Sequence, residues 1–447
     1  MEGKVECPLF SPSRSIHAAR FSPSHGRPND IGQPARNRPA GAAGGASPGN
    51  HKFLSDKGQR PVRTFGGCPF PLGRPMMTSM GLSIVHVGNE STAPPTAGHV
   101  FGLSPDALAD VLSSIDARPY RARQVLEWAY RKGAAAFDDM TNLPLAMRAA
   151  LAERLSMYES TIVATAQSKD STKKLLLRWP DGATSECVMI PDGERRTACI
   201  STQVGCPVGC VFCASGIGGL ERNLTAGQIV EQAMRVAAAC DGDRLSNVVF
   251  MGLGEPLANY DATVAGVRTI NADWGMNIGA RKITVSTVGL PKQMRRLAEE
   301  NLQVTLALSL HAPNDELRRR IIPWAESIPL AELIDAARYY FDRTGREVTL
   351  EYILLADVND SAACARELAA VSKSMRSNVN LIPYNPVAGL PYRRPTGDRV
   401  QAFERELRSA AVNAHVRRPR GDDVNAACGQ LRRERKGDIL LFLPPPA

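Results

Sequence analysis

A chain of 447 residues, 43% hydrophobic and 22% charged, has room for two or three domains and an ordinary soluble composition. No apolar run reaches the roughly 18 to 20 residues that a membrane helix needs, and the opening MEGKVECPLF has no continuous apolar segment behind its charges, so the expected location is the cytoplasm. The net charge of +9 invites a nucleic-acid reading, yet residues 1–75 alone hold eleven Lys and Arg against four Asp and Glu, which leaves local basic clusters as the informative signal.

Residues 1–95 are rich in Gly, Pro, Ser, Ala and Arg without apolar periodicity, and are expected to form a disordered tail. Met76, Met77 and Met80 just before the first patterned sequence leave open a mis-chosen start codon. Ser104-Pro105 reads as an N-cap and first helical residue before Leu108, Val111, Leu112 and Ile115. Val125, Trp128 and Ala129 predict a second helix and Met147, Leu151 and Leu155 a third, a small helical domain over 100–157. Arg118, Arg121, Arg123, Arg131 and Lys132 give it a basic character suited to RNA phosphates or simply to water. Two strands, Lys173–Trp179 and Glu186–Ile190, flank Pro180-Asp181-Gly182 and predict a β-hairpin extension over 170–192.

From residue 193 the pattern alternates, with strands near 196–202, 246–251, 282–288, 303–310, 347–355 and 378–383 and helical segments between them. The fold class is therefore α/β, an open partial (β/α)6 barrel over 193–431 followed by a short tail over 432–447. Thr225 with Gln228 makes a capping box, and Asp360 is a candidate cap. In such architectures chemistry gathers where strands end.

The first strand runs into Cys206, Cys210 and Cys213, spaced Cx3Cx2C. Three thiolates on one loop suit three corners of a [4Fe–4S] cubane with one iron left open, which can chelate S-adenosylmethionine; a zinc site is the alternative, without a fourth ligand nearby. Gly254 and Glu255 follow the second strand, Ser286 ends the third, Ser309-Leu310-His311 end the fourth, and Asn385 follows the sixth. Each is a candidate for binding the amino acid, ribose or adenine part of that cofactor. Without the cysteine motif, each would read more simply as a turn or a loop cap.

Four stretches carry a closer likeness: Arg196-Thr197-Ala198-Cys199-Ile200-Ser201-Thr202-Gln203-Val204-Gly205-Cys206, Gly252-Leu253-Gly254-Glu255-Pro256, Asn380-Leu381-Ile382-Pro383-Tyr384-Asn385-Pro386, and Arg420-Gly421-Asp422-Asp423-Val424-Asn425-Ala426-Ala427-Cys428-Gly429-Gln430-Leu431. Over about residues 103–431 the sequence resembles the radical-SAM 23S rRNA adenine-C2 methyltransferases, which also methylate an adenine in the anticodon loop of certain tRNAs. The resemblance implies that Cys206, Cys210 and Cys213 bind the cluster and that Gly254, Glu255, Ser286, Ser309, Leu310, His311 and Asn385 bind S-adenosylmethionine. It implies that Cys428 carries the methyl group, Cys199 resolves the protein–RNA adduct through a transient disulfide, and Glu186 is the general base.

That mechanism suits its target. C2 of adenine is electron-poor and has no lone pair, so the methyl is first parked on Cys428 from one S-adenosylmethionine and then activated by a radical from a second. The implied partners are 23S rRNA and tRNA, with an electron donor such as flavodoxin, and the chain is expected to act as a monomer. Three other readings stand beside this one: a methylase of the same mechanism acting at C8, a glycyl-radical activase, and a non-catalytic Fe–S RNA-binding protein. Cys187, Cys240 and Cys364 read as core residues.

Overall fold

The computed structural model describes residues 98–432; the expected N-terminal tail, and the C-terminal tail beyond Arg432, lie outside the described residues. A parallel pair, β1 (Gly98–His99) and β2 (Leu155–Ser156), brackets three helices, α1 (Pro105–Ser113), α2 (Arg121–Glu127) and α3 (Leu145–Arg154). Ser104 caps α1 by accepting the Ala107 N–H at 3.1 Å. Two details differ from the periodicity. Trp128 and Ala129 continue α2 as a π-helical turn over Trp128–Lys132, and Leu155 is the first residue of β2, because its backbone pairs with Gly98.

A ten-stranded sheet forms the body. Its antiparallel part is β3 (Thr161–Gln167), β4 (Lys173–Arg178) and β5 (Thr184–Asp192), joined by an antiparallel pairing to β6 (Arg195–Cys199). The predicted hairpin is thus two of these strands, continuous with the barrel sheet. After β6 come a small antiparallel pair, β7 (Gln203–Gly205) and β8 (Leu220–Asn223), and then α4 (Ala226–Ala238), β9 (Asn247–Phe250), α5 (Tyr260–Asn271), β10 (Ile283–Thr287), α6 (Pro291–Ala298) and β11 (Thr305–Ser309). The chain continues through α7 (Asp315–Ile321), α8 (Leu330–Thr344), β12 (Val348–Leu354), α9 (Ala362–Lys373), β13 (Ser377–Pro383), α10 (Gly397–Ser409) and β14 (Ala414–Val416).

β6 and β9 to β14 pair in parallel and in that order, six strands as the sequence predicts plus a seventh, β14. Three residues are too few to show a period of two. The Thr225–Gln228 capping box forms, whereas α9 is capped by Ser361. Asp360 instead accepts the Asp357 N–H and pairs with Arg399 at 2.9 Å.

Strand alternation decides what each face does. Val285, Leu306, Leu308, Leu350, Tyr352, Val379 and Leu381 face the helices and share one core with Val267, Leu333 and Leu368. The intervening Ser286, Ser309, Glu351, Ile353 and Ile382 line a cavity on the opposite face. No helix among the described residues is long and apolar enough to cross a membrane.

Candidate active site

The cysteine loop begins where β7 ends. Gly205 turns with φ +77°, and a Cβ there would lie 2.0 Å from the Gly219 carbonyl oxygen, so no larger residue fits. Cys206 N–H donates to that carbonyl at 3.2 Å and Cys213 N–H donates to the Cys210 carbonyl at 3.1 Å, which curls the loop. Cys206, Cys210 and Cys213 all line the cavity. Among the described residues no three His, Cys, Asp or Glu side chains gather tightly enough for a single metal ion; three thiols set around a shared cavity are what separate corners of a cubane require. Burial pushes Cys206 up to about 12 and raises Cys210 and Cys213, and neighbouring sulfurs add to all three shifts. They are therefore held as thiols that a cationic cluster would deprotonate on binding.

Arg318 was not singled out from sequence. Its guanidinium is buried, which lowers it to about 10, and the Cys210 sulfur opposes that shift. It donates to the Val288 carbonyl at 2.5 Å. Nothing in a charge run on a short helix distinguishes this one arginine from the exposed Arg319 and Arg320.

The strand ends supply the rest of the wall. Gly254, Glu255, Ser286, Ser309 and His311 line the same cavity. Gly254 has φ +104° and would place a Cβ 2.7 Å from Gln203. Glu255 is buried and thereby raised to about 7, while the N–H groups of Val288 (2.7 Å) and Leu257 (3.0 Å) donate to its carboxylate. The Ser286 and Ser309 hydroxyls are 3.3 Å apart. His311 accepts the Ile353 N–H on Nδ1 at 3.1 Å, and burial lowers it to about 3, so it is a neutral ring whose other nitrogen carries the proton. Phe212 packs edge-on against it, centroids 5.1 Å apart. Two predicted residues stand apart. Leu310 is fully buried and lines neither cavity, and Asn385 lines an adjoining one, donating to the Cys428 carbonyl at 3.2 Å.

That second cavity is walled by Cys199, Ile190, Arg418 and Leu431, and shares Met251, Ile382, Arg417 and Cys428 with the first. The Cys428 loop reaches it by a short helical turn over Asp422–Val424 between Gly421 and Asn425, both left-handed. Val424, Ala426 and Leu431 pack on Val188 and Cys199, so the loop lies on the sheet face that carries Cys199. Burial pushes Cys199 up to about 12 and the nearby Cys428 adds to this; the Arg417 cation opposes it. Arg417 is held cationic by Cys428 and by Glu351, 3.4 Å away. Neither Arg417 nor Glu351 was singled out from sequence, and the short strand β14 that leads into Arg417 was itself missed.

Glu186 is on the same face but lines neither cavity. It is fully buried, paired with Lys174 at 2.9 Å, and accepts the Arg432 N–H at 2.7 Å. The eight cysteines among the described residues are all free thiols; Cys187 faces the main core with Cys240, as expected, and Cys364 packs against its edge.

Comparison with known proteins agrees with this geometry. The radical SAM superfamily model matches residues 200–365, and that of the ribosomal RNA large subunit methyltransferase N-terminal domain matches residues 99–157. A probable dual-specificity RNA methyltransferase RlmN of Rhodopirellula baltica is 43% identical over 357 residues, 80% of this chain and 96% of that protein. One of the same name from Symbiobacterium thermophilum is 48% identical over 335 residues, 74% of this chain and 90% of that protein. A crystal structure of a radical SAM methyltransferase from Sphaerobacter thermophilus superposes with a TM-score of 0.73 at 48% identity, covering 75% of this chain and 99% of that one. The chain belongs to the RlmN family of dual-specificity RNA methyltransferases within the radical SAM superfamily.

Proposed function

We propose that the protein methylates C2 of an adenine in 23S rRNA and of an adenine in tRNA, with Cys428 carrying the methyl group and Cys199 releasing the product. One observation carries this reading: Cys428 is on the boundary of two cavities, one lined by the cysteine trio and the strand-end polar groups, the other by Cys199 and arginines. Cys206, Cys210 and Cys213 would hold a [4Fe–4S] cluster, and Gly254, Glu255, Ser286, Ser309 and His311 would hold S-adenosylmethionine. When bound, the pair supplies a methyl group from one S-adenosylmethionine and a hydrogen-abstracting radical from a second.

The protein's own groups do the remaining work. Cys428 accepts the methyl by displacement and loses its proton. Once the carbon has joined C2 of the adenine and the C2 hydrogen has left as a proton, with the one surplus electron returning to the cluster that would have supplied it, the Cys199 thiolate attacks the Cys428 sulfur. An S–S bond forms as the C–S bond breaks, and the electron pair left on carbon takes a proton, so the two thiols are oxidised as the methylene becomes methyl. Arg417 supports this step as a cation beside both sulfurs, oriented by Glu351. Arg418 is exposed on the rim of the second cavity, where a phosphate of an extruded nucleotide would meet it.

Nucleoside mass spectrometry of RNA treated with the enzyme tests the reading. The expected product is 2-methyladenosine, and Cys428→Ala should abolish it while leaving cluster assembly intact. An 8-methyl product would favour the sister activity, and methylation by Cys428→Ala would overturn the carrier role.

A further inference from the structure

Lys174 and Glu186 form a diagonal cross-strand pair on β4 and β5, pointing to the same face as Val188 and Cys199. Both side chains are buried, Lys174 at 1% and Glu186 at 0% exposure. A charged pair removed from water this completely contributes little to stability for its own sake, since desolvation offsets most of the attraction. What distinguishes it is that both partners also bond the backbone of one loop. Lys174 Nζ donates to the Asn425 carbonyl at 3.3 Å, and Glu186 accepts the Arg432 N–H at 2.7 Å. Those two backbone groups bracket Cys428. Between them, the loop meets the cysteine loop, where the Ala214 N–H donates to the Gly429 carbonyl at 2.8 Å and Ser215 Oγ to the Leu431 carbonyl at 2.7 Å.

We infer that Lys174 and Glu186 are positioning residues: their ion pair is the seat on which the Asn425–Arg432 loop closes, and it fixes the Cys428 sulfur at the junction of the two cavities. The inference rests on Cys428 as the methyl carrier proposed above. It assigns Glu186 a role before RNA binds, whereas a general base acts only after the base is joined. A carboxylate outside both cavities, engaged by a lysine and by a backbone N–H of the loop, is placed for the first role.

Hydrogen exchange read by mass spectrometry on the full-length protein tests this without reference to turnover. In Lys174→Met/Glu186→Met, where an apolar pair of similar volume keeps the sheet face packed, exchange over residues 421–432 should rise about tenfold or more while β4 and β5 stay protected. Glu186→Gln keeps an oxygen for the Arg432 N–H and should restore part of that protection. The rate at which S-adenosylmethionine loads a methyl on Cys428, without RNA, should fall in the same order. Unchanged exchange in the double variant would overturn the seat. So would normal Cys428 loading in Glu186→Gln with a stall only after RNA is added, which is the behaviour of a base. If Cys428 were not the carrier, the unsubstituted protein would show no methyl there, and the exchange result would still stand by itself.

Discussion

A thiol raised to about 12 is a poor nucleophile at neutral pH, and Cys199 is such a thiol because it is buried beside Cys428. Only its thiolate attacks sulfur, so adduct resolution should accelerate about tenfold per pH unit below that value. Arg417 opposes the shift. Arg417→Gln should therefore raise the Cys199 value further and slow resolution at any fixed pH by about tenfold or more, measured as persistence of the protein–RNA adduct in single-turnover quench. At Gly254 the limit is steric. With φ +104° and Gln203 2.7 Å from a built Cβ, Gly254→Ala should weaken S-adenosylmethionine binding about tenfold and cost on the order of 1–3 kcal/mol, read by equilibrium dialysis and denaturant unfolding. The cysteine trio was legible because three thiols in Cx3Cx2C spacing have few other uses. Arg417 and Glu351 were not, since a single arginine or glutamate declares its partner only when strands are aligned.

Among elements, the long parallel strands and the capping box at Thr225 were readable because apolar alternation and cap chemistry are local. β14 was not, and with it went the seventh strand and the position of Arg417. Asp360 and Ser361 are adjacent and chemically similar as caps; Asp360 is diverted by Arg399, a partner 39 residues away that no local pattern reveals. Attachment of the N-terminal helices is equally non-local. Glu231 of α4 is buried, accepts the Glu159 and Ser160 N–H groups at 2.9 Å each, and pairs with His99 at 3.3 Å. Burial alone would raise its carboxyl, but His99 and these hydrogen bonds hold it below the usual range. Glu231→Ala should leave His99 and the Ser160 turn without their shared acceptor and cost about 3–5 kcal/mol, seen as a lower denaturant midpoint and faster proteolysis between β2 and β3.

For the molecule as a whole, a strand and a loop far apart in sequence meet on one sheet face. The chain carries its first sulfur on β6 and its second on a turn more than two hundred residues later, and the intervening strands build the cavity between them. Family likeness implied that meeting, and the packing of Val424, Ala426 and Leu431 over Cys199 supplies its physical form. The proposed cycle requires the two sulfurs to act in sequence. Cys199→Ala removes the second step alone, so with RNA and S-adenosylmethionine it should accumulate a covalent protein–RNA species whose link maps by mass spectrometry to Cys428. Undiminished multiple-turnover methylation by Cys199→Ala, or a crosslink mapping to another residue, would contradict it.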